Sequence, residues 1–468
     1  MTGTERRAAL SLAGIFSLRM LGLFMIYPVF APWARHLPGA TSATIGLALG
    51  VYGLTQALLQ IPFGFLSDRI GRKPVIAAGL VLFAVGSAVA ALSPSIDGIV
   101  LGRILQGAGA VGSTVLALAA DLTLEEHRTK AMAVIGMTIG SAFGLAVVLG
   151  PVLNSWIGVR GIFWLTTALA GLGIVVLYTL VPRSAAHTVH REAEPVPALF
   201  SRVLANRELQ RLDLGIFSQH AILTASFLTI PFVLAHAGVA LHNQWWVYLP
   251  VLVVSIVFLV PLVILAERGH MKHVFLGSIA LLAVGQALFP WGQAHLGLMF
   301  LGLLAFFTAF NVLESVLPSL VSRLAPADAK GTAMGVYSSS QFFGMFVGGA
   351  LGGWIEGRWG LDGVVVFCVA IAAIWWSAAW FMRSPARVSS RTLRVTVRDE
   401  SEARKLEDKL RQVPGVLEAI VVRAEGVAYV RGDRGLTHNG LTAAIDESQS
   451  WRTPETGVQM NQTTQRVR

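Results

Sequence analysis

Residues 64–75 read GFLSDRIGRKPV. Four charges, Asp68, Arg69, Arg72 and Lys73, fall within six residues. Yet residues 44–66 before them and 74–92 after them carry no charge at all. Two uncharged stretches of bilayer length joined by a knot of charge describe a pair of membrane helices meeting at a water-facing turn.

The same alternation recurs along the chain. Of 468 residues, 54% are hydrophobic and 13% charged. Twelve apolar stretches stand out, at residues 8–34, 43–67, 74–92, 97–120, 131–154, 160–181, 209–235, 244–265, 271–290, 295–321, 331–355 and 361–382. A helix needs about 20 such residues to cross the hydrocarbon core. Lipid obliges the backbone to satisfy itself, and stretches this long do so as helices. The first is too long for a cleaved signal peptide, and eleven more follow it. Cys368, the only cysteine, falls in the twelfth stretch, which excludes an intramolecular disulfide and a cysteine metal cluster. No metal and no cofactor is expected.

The net charge of +10 invites a nucleic-acid reading, but its placement argues against one. Arg6, Arg7, Arg69, Arg72, Lys73, Arg128, Lys130, Arg183, Arg191, Arg202, Arg207, Arg383, Arg387 and Arg391 fall at the termini and in alternate connections. Lys and Arg collect in cytoplasmic loops. Twelve spans then put both termini in the cytoplasm, in a bacterial inner membrane. No basic motif with interleaved aromatics suggests a nucleic-acid partner.

The longest polar interruption separates six spans from six. The expected organisation is a first half over residues 1–182, a cytoplasmic linker over 183–208 and a second half over 209–384. Residues 129–136, TKAMAVIG, resemble 331–336, GTAMGV, at an offset of 202, which suggests a parallel duplication. Beyond residue 384 the composition changes. Residues 392–397 alternate as a half-buried strand, and 400–412 form an amphipathic helix with Ala403, Leu406 and Leu410 on one face. Asp399 or Ser401 can cap that helix, and Pro414-Gly415 ends it. Residues 416–422 and 427–430 read as a hairpin turning at 424–426, and 436–445 as a second helix. A small α+β, ferredoxin-like cytoplasmic domain is therefore expected over 391–450, with a disordered tail over 451–468. The fold class is an all-α membrane protein of twelve transmembrane helices in two six-helix halves, with this domain appended.

The opening stretch resembles motif A of the major facilitator superfamily, G-x-L-x-D-R-x-G-R-K, with Gly64, Leu66, Asp68, Arg69, Gly71, Arg72 and Lys73 filling every position. LGRILQGAGA, 101–110, resembles the family's motif B through Arg103, Gln106 and Gly107. LGLFMIYPVFAP, 21–32, is similar to the first-span motif of the drug–proton antiporter branch. The fifth span keeps Gly136, Gly140, Gly144 and Gly150-Pro151 but continues with Val152-Leu153-Asn154 where that branch has glycines. The resemblance implies a latch: Asp68 and Arg72 join an acid at the end of span four, here Asp121, near the start of span eleven around Gly331. That latch holds the outward-facing state. A superfamily chain ending in such a domain is similar to the YajR-type transporters. The domain itself is similar to heavy-metal-associated domains, but residues 399–403, DESEA, supply no cysteine ligands, so thiolate metal binding is excluded. Passive stabilisation and sensing of an ion or regulatory ligand both remain open for it.

Ionisable groups inside spans are costly and point to function. Arg19 sits in the middle of span one, and Glu314 well inside span ten with Asn311 a turn earlier. Asp213 and His220, seven apart, share a face of span seven. Glu314, Arg19, Asp213 and His220 are the proton-coupling candidates; Asp213 also reads as an interfacial residue and His220 as a hydrogen-bonded structural one. An approach of Arg19 to Glu314 offers either proton control or a static ion pair. Tyr27, Gln56, Gln60 and Asn311 are substrate-cavity candidates, the two glutamines equally able to join helices. No nucleotide-binding loop and no nucleophile–base pair appears, so no enzyme is read here. The expectation is a monomeric, proton-coupled secondary transporter, moving small amphipathic compounds outward across the lipid bilayer. An uptake symporter for a polar nutrient, and a transporter-like sensor signalling through its terminal domain, are the rivals.

Overall fold

Thr2 and Glu5 open the first helix with a reciprocal cap. Thr2 Oγ1 accepts from Glu5 N at 3.2 Å, while Thr2 N donates to Glu5 Oε2 at 2.6 Å. The computed structural model describes residues 1–182, 197–326, 329–382, 389–395, 397, 399–422, 427–432 and 441. The chain divides into two units, Met1–Arg383 and Ser384–Arg468.

The described residues of the first unit are mostly helical. Its elements are α1 (Gly3–Phe24), α2 (Tyr27–Ala34), α3 (Ser42–Ile70), α4 (Arg72–Leu92), α5 (Ile96–Ala108), α6 (Gly112–Asp121), α7 (Glu125–Thr179) and α8 (Pro197–Ala205), then α9 (Arg207–Phe227), α10 (Ile230–His236), α11 (Trp245–Leu265), α12 (Met271–Gly292), α13 (Leu296–Leu324) and α14 (Lys330–Trp380). Among the described residues, nine helical stretches are long and apolar enough to cross a membrane. Three of them run 50, 52 and 51 residues. At 1.5 Å per residue each would be about 75 Å long if straight, more than twice a bilayer core. None is straight. Each holds one glycine at positive φ, Gly158 (68°), Gly269 (107°) or Gly360 (62°), where a side chain would strain the backbone. The helical segments on either side meet there at a kink.

These breaks carry the duplication further than the short sequence match. Gly158 and Gly360 stand 202 residues apart, the offset of the match itself. The join between α1 and α2 precedes Pro28, and the join between α9 and α10 precedes Pro231. A proline near a helix start has no use for the amide hydrogen it lacks.

Two expectations shift. The span predicted as linker, 183–208, contains α8, and α9 begins inside it at Arg207; residues 183–196 lie outside the described residues. In the second unit, β1 is Ser389–Arg394 rather than 392–397. Leu393, Val395 and Val397 keep the alternation, but pairing to β3 stops at Arg394, opposite Val427. Pairing, not alternation, sets the strand's end.

α15 (Glu400–Gln412) is capped by Asp399, whose carboxylate accepts from Glu402 N at 2.8 Å. β2 (Val416–Val422) and β3 (Val427–Gly432) pair antiparallel, and the sheet order is β1-β3-β2. The helix therefore connects two parallel strands with a gap that β3 fills. Ala403, Leu406 and Leu410 pack onto Leu393, Val395, Ala419, Val421, Ala428 and Val430. The turn at 424–426, most of the predicted helix 436–445 and the tail 451–468 lie outside the described residues.

Candidate functional site

The charged knot forms where α3 gives way to α4. Gly71, at φ 99°, is the only residue between them. This sharp turn brings one guanidinium against three acceptors. Arg72 Nη2 lies 2.5 Å from Asp68 Oδ1, Nε 3.1 Å from Asp121 Oδ2, and Nη1 donates to Ser67 Oγ at 2.6 Å. Ser67 Oγ in turn donates a hydrogen bond to the Gly64 carbonyl at 2.6 Å. Lys73 Nζ donates to the Val181 carbonyl at 2.7 Å, tying α4 to the chain just after α7. Arg69 is exposed. Sequence reasoning missed one participant. Glu5 Oε1 accepts from Leu124 N at 2.8 Å, and its Oε2 lies 3.0 Å from His127 Nδ1, so the start of α1 braces the loop that follows Asp121. An acid in a helix's first turn, one residue before two arginines, was the available signal.

The two ends of this bundle differ. At the end carrying Arg35, α3 and α14 touch backbone to backbone. A side chain on Gly46 would run into the Gly349 carbonyl and Gly353 Cα, and one on Gly50 into Phe346 O. Arg35 Nη2 pairs with Glu356 Oε1 at 2.7 Å, and its guanidinium lies 3.8 Å from the Phe232 ring centroid. The contacts Gly46–Gly349, Gly50–Phe346 and Gly53–Phe342 follow one antiparallel register. Continued at that pitch, Gln60 faces Gly335 and Gly64 faces Gly331. There the helices have parted: a Cβ on Gly331, Gly335, Gly136 or Gly140 meets nothing within 4 Å, and one on Gly64 meets only Ser113 of its own half.

Between the ends lies an aromatic seam built by both halves. Phe24, Tyr27 and Phe143 come from the first, Phe227, Phe307 and Phe310 from the second. Phe143 stands 5.4 Å from Phe310 and 6.3 Å from Phe307, and Tyr27 5.6 Å from Phe227. Tyr27 Oη reaches Thr224 Oγ1 at 3.5 Å.

Two sets of interior polar groups adjoin this seam, with Arg19 preceding Phe24 on α1, Gln219 preceding Phe227 on α9 and Glu314 following Phe310 on α13. In the first half, Arg19 Nη2 donates to Tyr52 Oη at 2.6 Å and to Gln56 Oε1 at 2.5 Å, and Gln56 Nε2 donates to Gln60 Oε1 at 2.9 Å. In the second half, Gln219 Nε2 donates to Glu314 Oε2 at 3.0 Å and to the Phe310 carbonyl at 3.2 Å. His220 Nε2 and Gln341 Nε2 are 2.8 Å apart, and Asn311 Nδ2 donates to Ser255 Oγ at 3.0 Å. Among the described residues, the buried Tyr337 hydroxyl has no hydrogen-bond partner. Arg19 and Glu314 do not pair here: the partners of Arg19 sit on α3, that of Glu314 on α9. Tyr52, Gln219, Gln341 and Tyr337 went unread in the sequence, where a polar side chain inside an apolar span was the only mark they left.

Motif B is a clamp. Arg103 Nε donates to Ala48 O at 3.1 Å, Nη2 to Leu49 O at 3.4 Å and Nη1 to Gln106 Oε1 at 2.7 Å; Gln106 Nε2 donates to Ser87 Oγ at 2.6 Å. Gly107 lets α5 approach Tyr52 and Thr55 of α3.

A family model described as Major Facilitator Superfamily matches residues 12–251 and 212–422. The chain is 45% identical over 440 residues to the inner membrane transport protein YajR of Escherichia coli (strain K12), covering 94% of this chain and 96% of that protein. It is 25% identical over 378 residues to the multidrug resistance protein MdtH of Aeromonas hydrophila, covering 79% and 94%. Among solved structures, a bacterial homolog of the human lysosomal transporter Spinster, inward-facing and occupied, aligns at TM-score 0.66 and 15% identity over 82% of this chain and 97% of that one.

Proposed function

The chain belongs to the major facilitator superfamily, whose members are multi-pass membrane transporters and not enzymes, and on that premise we propose that it is a proton-coupled antiporter exporting small amphipathic compounds. It works by alternating access in a bacterial inner membrane. Each of the three kinked stretches counts as two spans, which turns nine stretches into twelve. The Asp68 end faces the cytoplasm together with both termini, in keeping with the basic residues of alternate connections. The strand order β1-β3-β2 with one crossover helix supports a ferredoxin-like assignment for the terminal unit, whose role is regulatory. The protein acts as a monomer.

One observation carries this reading: α3 and α14 touch at Gly46, Gly50 and Gly53 but have parted at Gly64 and Gly331, the end toward which Arg19 and Glu314 lie from the seam residues of their own helices. A site of that kind is reachable from one face only, as alternating access requires. The state is inward-facing. The Asp68–Arg72–Asp121 cluster is assembled but does not engage α14, so the latch is set within the first half and open between the halves. When the bundle rocks, Gly64 closes on Gly331, and Asp68 meets the start of α14, where a helix N-terminus favours a carboxylate by about 0.3–1 kcal/mol.

Glu314 is the proton-coupling residue. A carboxylate carried alternately between water and an apolar closure takes up and releases a proton. Gln219, bonded to it, positions it; Asp213, His220 and Tyr337 share its surroundings. Proteoliposomes with an imposed proton gradient test this. Glu314→Gln is expected to retain substrate binding and lose proton-driven flux; unchanged flux with the same pH dependence removes Glu314 from the mechanism. Accumulation rather than extrusion by whole cells would reverse the direction.

A further inference from the structure

Two arginines are buried in the first half, and they are served differently. Arg103, fully buried, has every nitrogen engaged, by the Ala48 and Leu49 carbonyls and Gln106. Arg19 is 2% exposed, and only its Nη2 is engaged. Among the described residues, its buried Nε and Nη1 have no hydrogen-bond partner. A guanidinium does not shed its proton in a protein, so Arg19 cannot escape by turning neutral. A buried cation with unpaired donors and no anion is among the costliest arrangements a chain can keep.

No acid of this half can relieve it. Residues 1–182 hold six, Glu5, Asp68, Asp97, Asp121, Glu125 and Glu126. All stand in the first or last turn of a helix, whereas Arg19 lies more than four turns into α1. Glu314 of the other half is bonded to Gln219. The neighbours Arg19 does have are neutral: Tyr52 and Gln56, which fix its head, and the Phe83 ring, 5.6 Å from Cζ to centroid. Cation–π contact compensates only part of such a charge. The head is thus held in place with donors left over, among Tyr52, Gln56 and Phe83. Five residues further along α1, Phe24 begins the aromatic surface, 4.9 Å from Phe143.

We propose that Arg19 recognises an anionic group, a carboxylate or sulfonate, on the transported compound, whose apolar body then lies against Phe24 and Phe143. The counter-charge missing from the protein arrives with the substrate. This deepens the efflux reading and rests on it for the word transported, but not for the binding.

The test uses purified full-length protein and two probes of one shape, 2-naphthoate and the neutral 2-naphthamide. Naphthoate is expected to raise the melting temperature with a half-saturation at least tenfold lower than naphthamide. Arg19→Gln should abolish that preference, and Arg19→Lys should keep part of it. Equal action of the two probes, no action by either, or a preference that survives Arg19→Gln overturns the proposal. A second measurement needs no ligand. Without probe, Arg19→Gln should melt at or above the wild-type temperature, because an uncompensated buried charge is gone. A variant that melts lower or fails to insert marks Arg19 as a structural strut and overturns the proposal. Flux separates the two readings. Arg19-dependent naphthoate binding with no proton-driven flux of either probe keeps anion recognition and removes antiport. Proton-driven flux of naphthamide alone keeps antiport and removes anion recognition.

Discussion

The two ends of the α3–α14 contact are made from the same material and behave differently. Glycines line the facing stripes at both: Gly46, Gly50, Gly349 and Gly353 at one, Gly64, Gly331 and Gly335 at the other. At the Arg35 end the backbones touch; at the Asp68 end they have parted. What distinguishes them is where the charges pair: Arg35 with Glu356 across the halves at the touching end, Arg72 with Asp68 and Asp121 within the first half at the parted end. The touching end relies on close backbone packing, an interaction lost within an ångström or so of separation. The parted end adds Asp68, Arg72 and Asp121, whose attraction reaches further and responds to water.

The largest effect should come from breaking the packing. Gly46→Leu places a side chain where Gly349 and Gly353 already stand. Overpacking costs about 1–3 kcal/mol. Spin-label distances between residues 42 and 357 should lengthen, and transport should fall by roughly tenfold or more. Unchanged distances would show that the touching glycines are incidental.

Next comes Asp68→Asn, which removes the charge and keeps the shape. The bond to Arg72 is already made in the state described, so what the closed state loses is the carboxylate's interaction with the start of α14, worth about 0.3–1 kcal/mol. The balance should move toward the state described here, and transport should slow with normal insertion. Distance distributions across residues 64 and 331 that match the wild type would sink the latch.

A smaller change is expected from Arg35→Gln. Its ion pair with Glu356 bridges the halves, but Arg35's side chain is 45% exposed, and such pairs contribute about 1 kcal/mol or less. Transport should change by less than about fivefold, and the difference from wild type should shrink in high salt. The smallest effect belongs to deletion of residues 389–468. The remaining chain keeps every described helix of the first unit, so the protein should insert and show the same distances at both ends. Loss of all inserted protein would contradict this.

Local features were legible in the sequence; tertiary partnerships were not. GFLSDRIGRKPV announced its turn, because the glycine, the charges and the flanking apolar stretches lie within one loop. Asp121 could be added by the family resemblance. The helix 400–412 and its cap at Asp399 were readable for the same local reason. Arg19 was found by its depth, but Tyr52 and Gln56 as its partners depend on how α1 packs against α3. Glu314 stood out as an acid in an oily span, while Gln219, ninety-five residues earlier, gave no sign of reaching it. The anticipated approach of Arg19 to Glu314 treated depth as proximity; two groups at like depth in opposite halves need not meet.

The aromatic seam has an electrical consequence. If water fills the parted end up to these rings, the packed seam and the touching end beyond it would carry most of the membrane voltage. Each elementary charge driven through gains or loses about 2.3 kcal/mol per 100 mV. A cycle that exports one monovalent anion and admits one proton moves two charges in the direction the cell interior's negative potential favours. Under that exchange the voltage alone supplies about 4.6 kcal/mol per 100 mV, twice the single-charge figure. A thin seal of rings such as Phe143 and Phe310 then works as the gap of a capacitor, and the transport rate should follow the membrane potential even where the pH on both sides is equal.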